Sequence, residues 1–236
     1  MIFDVWLTEF VRLDSARLAA YELLLSPTER KRLRLLRGED ARLQFVVGRA
    51  LLKTKLAGLL GLPPQSVKFV RNPKGRLLLE GSSSTAEIAY SVSHTRDLAV
   101  CAASCVADKI GVDVEHPGSA KFYSYEFSQE TLCSAELDDV NSRPKEERGR
   151  RFLIYWTLKE AYAKACGEGL NIDFRSFEFD LSGPQPQLVR SPLSDGCPWH
   201  FASQRLTSGH RLAFATVTSQ LFEGLSVKKV VPLAQE

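Results

Sequence analysis

The fold and the chemistry of this chain are indicated first by the pentapeptide Gly111-Val112-Asp113-Val114-Glu115. Apolar and acidic residues alternate in it, so a β-strand would send the two acids to one face and the two valines to the other. Neighbouring carboxylates repel each other, and they persist most easily where a cation, a proton or an arginine neutralises them. An exposed strand face is the commoner interpretation of an isolated Asp-x-Glu, so this stretch is not specific alone.

A second stretch has the spacing of a helix. It reads Trp156-Thr157-Leu158-Lys159-Glu160-Ala161-Tyr162-Ala163-Lys164. Trp156, Glu160 and Lys164 recur every four residues and therefore lie along one helical face. A Glu/Lys pair at this spacing is often only a surface salt bridge. With the acidic strand, however, it would bring three carboxylates and an ammonium to two facing elements. Such oxygen donors suit Mg²⁺, which carboxylates usually share with substrate phosphates.

Length and composition limit the class of protein. The 236 residues, 44% of them hydrophobic, suffice for one large domain or two small ones. No apolar run approaches the roughly 18 residues of a membrane span, and the first residues do not resemble a basic leader. We therefore predict a cytoplasmic protein. The five cysteines are odd in number and lack CxxC spacing, which favours reduced thiols.

Basic residues are concentrated in two places although the net charge is only +3. The first cluster contains Arg30, Lys31, Arg32, Arg34, Arg37 and Arg42, and the second contains Lys145, Arg148, Arg150 and Arg151. Such clusters favour anionic ligands or acidic partners, although a solvated helix face is the commoner explanation. The carboxylate set elsewhere in the sequence favours phosphate here.

Hydrophobic spacing predicts two halves of similar architecture, residues 1–106 and 107–236. The first half has a predicted strand at 2–7, helices at 13–25, 27–36 and 40–60, and strands at 67–71, 77–80, 88–93 and 98–105. The second has a strand at 110–115, a helix near 129–137, a long helix at 146–166, and strands at 174–180, near 188, at 199–205 and at 211–218. Each half is thus a long helix packed on a small antiparallel sheet, an α+β arrangement. We find no residue-by-residue repeat.

Over most of its length the sequence resembles an Sfp-type 4'-phosphopantetheinyl transferase. The motifs that agree in order and spacing lie at 37–42, 48–52, 72–76, 91–95, 111–115 and 156–170. The last two are the specific ones. A Gly-x-Asp-x-Glu strand ahead of a Trp-x-x-Lys-Glu-Ala helix, with Ser-His-Thr upstream of both, is a strong joint signal.

The resemblance implies transfer of the phosphopantetheine arm of coenzyme A to a serine hydroxyl of an acyl or peptidyl carrier protein. Adenosine 3',5'-bisphosphate would be released. It also implies two pseudo-symmetric subdomains with coenzyme A in the cleft between them, Mg²⁺ on the pyrophosphate, and a transient complex with an acidic carrier. Because both halves occur in one chain, a monomer can form the cleft.

The resemblance further implies roles for individual residues. Asp113, Glu115 and Glu160 match the metal-site positions, and Lys164 matches the lysine of the catalytic helix. Lys164 would offset charge on the leaving group. Glu160 would either bind the metal or accept the serine proton, and the sequence leaves both roles open.

Five residues match or fall near positions that bind coenzyme A in this family. Ser93 and His94 match residues that contact its phosphates, whereas Lys31, Arg34 and Arg76 fall near positions that bind the nucleotide. The alignment of the basic helix is ambiguous by one residue, so whether Arg30, Lys31 or Arg34 reaches the 3'-phosphate is left open.

Two other classes of function also fit part of the sequence. A nucleic-acid-binding module would use the basic residues at 30–42, with steep salt dependence and no need for magnesium, but it leaves the carboxylates unexplained. A nucleotide pyrophosphate hydrolase would use the same metal and cleave coenzyme A without a carrier. The transferase interpretation predicts neither a nucleic-acid nor a membrane partner.

Overall fold

A computed structural model describes residues 1–11, 13–73, 75–81, 88–167, 172–192 and 196–234, without the side chains of residues 121 and 122. Lys74 of the 72–76 motif and residues 168–170 of the 156–170 motif lie outside these ranges. None of the described helices is long and apolar enough to cross a membrane.

The described elements confirm the predicted α+β class. The helices are α1 (Ser15–Leu23), α2 (Pro27–Leu35), α3 (Glu39–Leu60), α4 (Tyr125–Thr131), α5 (Ser134–Asn141) and α6 (Lys145–Cys166). The strands are β1 (Ile2–Glu9), β2 (Phe69–Arg71), β3 (Leu77–Leu79), β4 (Ala89–His94), β5 (Leu98–Ser104), β6 (Lys109–Glu115), β7 (Glu178–Asp180), β8 (Gln187–Arg190), β9 (Trp199–Arg205), β10 (Arg211–Val217) and β11 (Gly224–Lys229). Short 3-10 helices lie at Pro64–Ser66, Pro117–Phe122 and Phe174–Ser176.

Two sheets form the framework, one in the order β11-β1-β5-β4 and the other in the order β6-β10-β9. The neighbours within β1-β5-β4 and within β6-β10-β9 are antiparallel. β11 was not predicted, and it pairs with β1 in parallel. This strand comes from the second half of the sequence but extends the sheet of the first. The division into subdomains 1–106 and 107–236 stays a prediction.

Two predicted elements differ in detail from those observed. The helix expected near 129–137 is two helices, α4 and α5, because the Glu136 carboxylate accepts the backbone N–H of Cys133 at 3.0 Å and starts a new helix there. Cysteine is not a typical N-cap residue, so a helix start at this position is hard to predict from the sequence. The strand expected at 174–180 begins with a 3-10 turn and is extended only from Glu178.

The two long helices, α3 and α6, are built in the same way. Each has 22 residues and ends at a glycine with positive φ, 65° at Gly61 and 77° at Gly167. The fifteenth residue of each is a fully buried lysine, Lys53 in α3 and Lys159 in α6. Buried charges must be paired, and both lysines are.

The partner of each buried lysine is the glutamate of a helix-capping box. Lys53 Nζ lies 2.8 Å from Glu29, at the start of α2, and Lys159 Nζ lies 2.7 Å from Glu136, at the start of α5. Each ammonium also donates to backbone carbonyl oxygens, that of Leu24 in the first case and those of residues 174 and 177 in the second. Equivalent ion pairs therefore connect α3 and α6 each to a shorter helix of its own half.

β6 lies between a shared core and α6. Val112 and Val114 point into an apolar cluster that both sheets build together, as the alternation in this strand predicts. On the other side β6 approaches α6 so closely that a Cβ on Gly111 would lie 1.8 Å from the carbonyl oxygen of Ala161. Glycine is therefore required here, and the close approach brings the acidic face of β6 to α6.

Candidate active site

Asp113 is at the centre of a buried group that joins the two halves. Only 4% of the residue is exposed. Its Oδ1 accepts hydrogen bonds from Ser93 Oγ on β4 at 2.8 Å and from Lys164 Nζ on α6 at 2.6 Å, and Lys164 also donates to Ser93 at 2.9 Å. Its Oδ2 is buried and has no hydrogen-bond partner among the described residues. A buried acceptor left unpaired costs free energy unless a ligand binds it.

Glu115 is held by two donors. Trp156 Nε1 donates to Oε1 at 3.2 Å and Ser119 Oγ donates to Oε2 at 3.1 Å. Burial raises the pKa of this carboxyl group, the charge of Asp113 raises it further, and the two hydrogen bonds and Lys164 oppose the shift. The contact from the indole N–H cannot be inferred from the helical spacing alone.

Glu160 is half-buried on α6, and no hydrogen bond to its carboxylate is found within the described ranges. Burial raises the pKa of Glu160 to about 7; the negative charges of Asp113 and Glu115 add to this effect, and Lys164 opposes it. The three carboxylates therefore interact electrostatically. Among the described residues, the oxygen atoms of these three carboxylates do not all lie within 4.8 Å of one another. The donor atoms of Asp97, His116 and His210 do.

The acidic group can nevertheless hold a divalent cation. Asp113 offers an unused buried oxygen, and the raised pKa values of Glu115 and Glu160 reflect burial and negative charge that a cation would compensate. All donors in the group are oxygen atoms, which suits a hard cation better than a transition metal.

A cavity of about 330 Å³ opens next to Lys164. Its lining includes four arginines, Arg32, Arg49, Arg71 and Arg76. Guanidinium groups match phosphate geometry through their paired N–H donors. A concave wall with this many like charges favours a ligand that carries several negative charges.

The arginines of this wall repel one another. Burial lowers the pKa of Arg49 to about 10; the neighbouring Arg71 and Arg32 lower it further, and Glu29, whose Oε1 lies 3.1 Å from Arg49 Nε, opposes the shift. Burial and then Arg32 also lower the pKa of Arg71. Arg76 packs over the end of α6, where a Cβ on Gly167 would lie 2.6 Å from its guanidinium. An anion in the cavity would relieve this repulsion.

His94 lies between this cavity and a second hollow on its other side. The residue as a whole is partly exposed to solvent, and its ring Cδ2 lies 3.5 Å from where a Cβ on Gly48 would stand. The surrounding protein lowers the pKa of His94 by desolvation, and Lys164 and Arg49 lower it further. An anion bound nearby would oppose this shift.

The structure separates the predicted nucleotide-binding residues into two sets. His94 and Arg76 line the cavity, with Ser93 next to it through its bond to Lys164. Lys31 and Arg34 are exposed on α2 and are not among the residues of the cavity wall.

Three arginines of the wall were not predicted to be site residues. Arg32 belongs to the basic run on α2, but the run alone does not reveal which helical face meets the cavity. Arg49 lies in the 48–52 motif, and Arg71 lies on β2, just before the 72–76 motif. These positions in or beside the basic run and the motifs suggested a role in binding. They did not show which side chains point into a cleft.

Comparison with known proteins identifies the family of this chain. Residues 109–215 match the 4'-phosphopantetheinyl transferase superfamily, and residues 14–106 match a family described as 4'-phosphopantetheinyl transferase, N-terminal. The chain belongs to the 4'-phosphopantetheinyl transferase superfamily.

Individual relatives match different shares of the chain. The chain is 31% identical over 152 residues to 4'-phosphopantetheinyl transferase HetI of Nostoc sp., covering 64% of this chain and 63% of HetI. It is 21% identical over 189 residues to 4'-phosphopantetheinyl transferase Sfp of Bacillus subtilis, covering 80% of each chain. Among solved structures, a holo-(acyl-carrier-protein) synthase of Bacillus anthracis in complex with CoA (3',5'-ADP) is similar, with a TM-score of 0.42, 20% identity and coverage of 49% of this chain and 99% of that one.

Proposed function

We propose that this protein transfers the 4'-phosphopantetheine group of coenzyme A to a serine hydroxyl of an acyl or peptidyl carrier protein and releases adenosine 3',5'-bisphosphate. The observation that supports this most is the buried Oδ2 of Asp113, which has no hydrogen-bond partner among the described residues. The other oxygen of Asp113 pairs with Lys164, which lines the arginine-rich cavity. A cation-binding carboxylate next to a polycationic cavity is the arrangement that a reaction at a pyrophosphate requires.

The donor set fits Mg²⁺. Asp113 and Glu115 would hold the ion, which would neutralise charge on the phosphoryl oxygens. Both side chains are oriented by donors from other elements, Asp113 by Ser93 and Glu115 by Trp156. Fixed ligand orientation of this kind supports metal affinity.

Glu160 would accept the proton of the attacking serine. Its pKa of about 7 is suited to a general base at neutral pH. The sequence left open whether Glu160 is a base or a third metal ligand. A Glu160→Gln variant separates the two: a base predicts lost turnover with unchanged Mg²⁺ affinity, and a ligand predicts that both fall.

The remaining residues would bind the nucleotide phosphates and neutralise the charge that develops on them. The serine oxygen forms a bond to phosphorus while the bond from phosphorus to the leaving adenosine bisphosphate breaks, so charge accumulates on phosphate oxygens. Lys164 would offset that charge, and its hydrogen bonds to Asp113 and Ser93 support this role because they fix the position of Nζ. Arg32, Arg71 and Arg76, with His94, would bind the nucleotide phosphates.

The test is incubation of the protein with coenzyme A, Mg²⁺ and a panel of unmodified carriers, followed by intact mass measurement. We expect a carrier to gain one phosphopantetheine, and we expect Asp113→Asn to slow labelling by at least about 100-fold. If coenzyme A is cleaved without any carrier gaining mass, the protein is a hydrolase and the proposal is wrong.

The carrier partner would be acidic and would bind transiently to a monomer in the cytoplasm. The structure distinguishes the two adjacent arginines of the second basic cluster, Arg150 and Arg151. Arg151 pairs with Asp139 and lies over the ring of Tyr155. Arg150 has no ion pair within the described part of the chain, and it lines two adjoining hollows. Of these two arginines, Arg150 is therefore the one available to a partner.

Charge reversal tests this contact. Arg150→Glu should raise the KM for the carrier at least about fivefold and leave the Kd for coenzyme A unchanged, since charges at the rim of an interface act mainly on association. Arg17→Glu, an equal change on the exposed face of α1, is the control. An unchanged carrier KM in Arg150→Glu would remove this surface from the proposal.

A further inference from the structure

A second group of potential metal ligands lies where three connections meet. Asp97 is in the turn between β4 and β5, His116 follows β6 directly, and His210 precedes β10. Each side chain offers one donor atom, and these atoms lie within 4.8 Å of one another. His210 is only 3% exposed.

Strand register and one contact between the two halves of the chain bring Asp97, His116 and His210 together. β6 and β10 pair Glu115 with Arg211, so the next positions along the two strands are His116 and His210. Their rings meet edge to face with centroids 5.2 Å apart. Asp97 arrives from the other half of the chain, with its Oδ1 at 2.8 Å from His210 Nε2.

We propose that Asp97, His116 and His210 bind a divalent transition-metal ion such as Zn²⁺, at a site separate from the carboxylates around Asp113. Imidazole and carboxylate ligands suit zinc. Metal–ligand distances of about 2.0–2.2 Å place tetrahedral donors roughly 3.4 Å apart. Donor atoms already within 4.8 Å of one another therefore need only small side-chain shifts, and water can take the fourth position.

His210 can replace the proton on Nε2 with the metal and keep its hydrogen bond to Ser208. The contact between His210 Nε2 and Asp97 needs a proton between the two atoms in the metal-free protein. When the metal replaces that proton, the ring carries its proton on Nδ1 and donates it to Ser208 Oγ, which lies 2.9 Å away. A second hydrogen bond of this kind orients metal-binding histidines in general.

His116 must give up one hydrogen bond. Its Nδ1 accepts the backbone N–H of Gly118 at 2.9 Å, so a neutral ring carries its proton on Nε2. Binding through Nε2 moves that proton to Nδ1, and binding through Nδ1 uses the same lone pair. Either way the N–H of Gly118 is released. Gly118 is half-exposed near the start of a 3-10 helix, so water can accept this N–H. The Gly118 amide signal therefore reports binding.

Calorimetric titration of the whole chain with Zn²⁺ tests the site. We expect one ion per chain in the wild type, and a Kd at least about tenfold higher in His116→Asn and His210→Gln. Asparagine can still accept the Gly118 N–H as a cap, and glutamine can still donate to Asp97, so both variants should fold. His200→Gln, which alters a histidine that stacks on Phe222 instead, is the control and should bind as the wild type does.

Several outcomes would overturn the site. If the wild type binds no zinc, the three residues form a hydrogen-bonded contact only. Zinc binding that survives in both histidine variants and is lost in Asp113→Asn belongs to the carboxylates. Amide spectra of the wild type give a readout that does not depend on variant folding: zinc should shift the Gly118 signal strongly, and an unchanged Gly118 signal would also refute the proposal.

Discussion

α3 and α6 have the same construction and different roles in the site. They have equal length, the same left-handed glycine at the end, and a buried lysine at the same position, Lys53 and Lys159. Each lysine is neutralised by the capping-box glutamate of a shorter helix in its own half. These shared features attach each helix to its surroundings and belong to the fold.

The difference between the helices begins one residue after the buried lysine. There α3 has Thr54 and α6 has Glu160, and four residues further on α3 has Gly58 and α6 has Lys164. The charged pair is therefore not needed to build a helix of this kind. The comparison is consistent with a stabilising role for the lysines and with the proposed chemical role for the pair Glu160 and Lys164, although Lys159 and Glu160 are adjacent in sequence.

The largest effect should come from removing a buried lysine. Lys159→Met leaves Glu136 buried without a cation, so we expect the free energy of unfolding to fall by about 3–5 kcal/mol. Lys53→Met should cost less, because Glu29 keeps Arg49 at 3.1 Å. Urea unfolding of both variants measures the difference. Equal losses, or a loss below about 1 kcal/mol for Lys159→Met, would show that the ion pairs do not have the roles assigned to them.

Adding one methyl group should affect the two halves in opposite directions. Gly111→Ala would force a Cβ against the Ala161 carbonyl at 1.8 Å, and overpacking of this kind should cost about 2–3 kcal/mol. Gly58→Ala meets nothing within 4 Å and should stabilise α3 by about 0.5–1 kcal/mol. Thermal unfolding of the two variants tests this, and a harmless Gly111→Ala would contradict the close approach of β6 to α6.

Glu160 should make stability depend on pH in a way that Thr54 cannot. The folded-state pKa of Glu160, about 7, lies above its usual value of 4.5, so the folded protein binds this proton more tightly than the unfolded chain does. Stability therefore falls as pH rises from about 4.5 to about 7. Glu160→Gln should remove that fall and gain on the order of 1–2 kcal/mol at pH 8, after a discount for solvent screening, but nothing at pH 4.

Urea unfolding in a chelating buffer at both pH values measures this effect, because a bound cation would lower the pKa of the carboxyl group. Glu160→Asp, which keeps the titrating group, is the control and should retain the decline in stability. The same gain at pH 4 and pH 8 would mean that the charge of Glu160 is not the cause.

The smallest effect should come from the indole N–H of Trp156, whose equivalent in α3 is Ala50. Trp156→Phe keeps a ring that can stack on Phe174 but removes the donor to Glu115. We expect a loss of about 1 kcal/mol in stability and a higher Mg²⁺ concentration for half-maximal turnover. Ser119→Ala removes the other donor to Glu115 and should behave alike. An unchanged Mg²⁺ dependence in both variants would restrict Trp156 to packing.

Local periodicity accounts for what could be predicted of the site. Alternation in β6 predicts that Val112 and Val114 face a core, and both are buried. The i, i+4 spacing in α6 predicts that Glu160 and Lys164 share a face. These inferences need only the geometry of a single strand or helix. They do not give the distance between Lys164 and Asp113, because that depends on how closely two elements pack.

The sequence by itself determined the α+β class, the acidic strand, the Trp-x-x-Lys-Glu-Ala helix motif and the family resemblance, because each depends on spacing within segments of the chain. The tertiary structure decided that Arg32, Arg49 and Arg71 line the cavity and that β11 pairs with the first sheet. It also decided that Lys53 and Lys159 are buried at the same position of their helices. It also brought Asp97 to His116 and His210. These features depend on contacts between segments far apart in the chain, and the free energy of such contacts comes from packing and desolvation that no local pattern encodes.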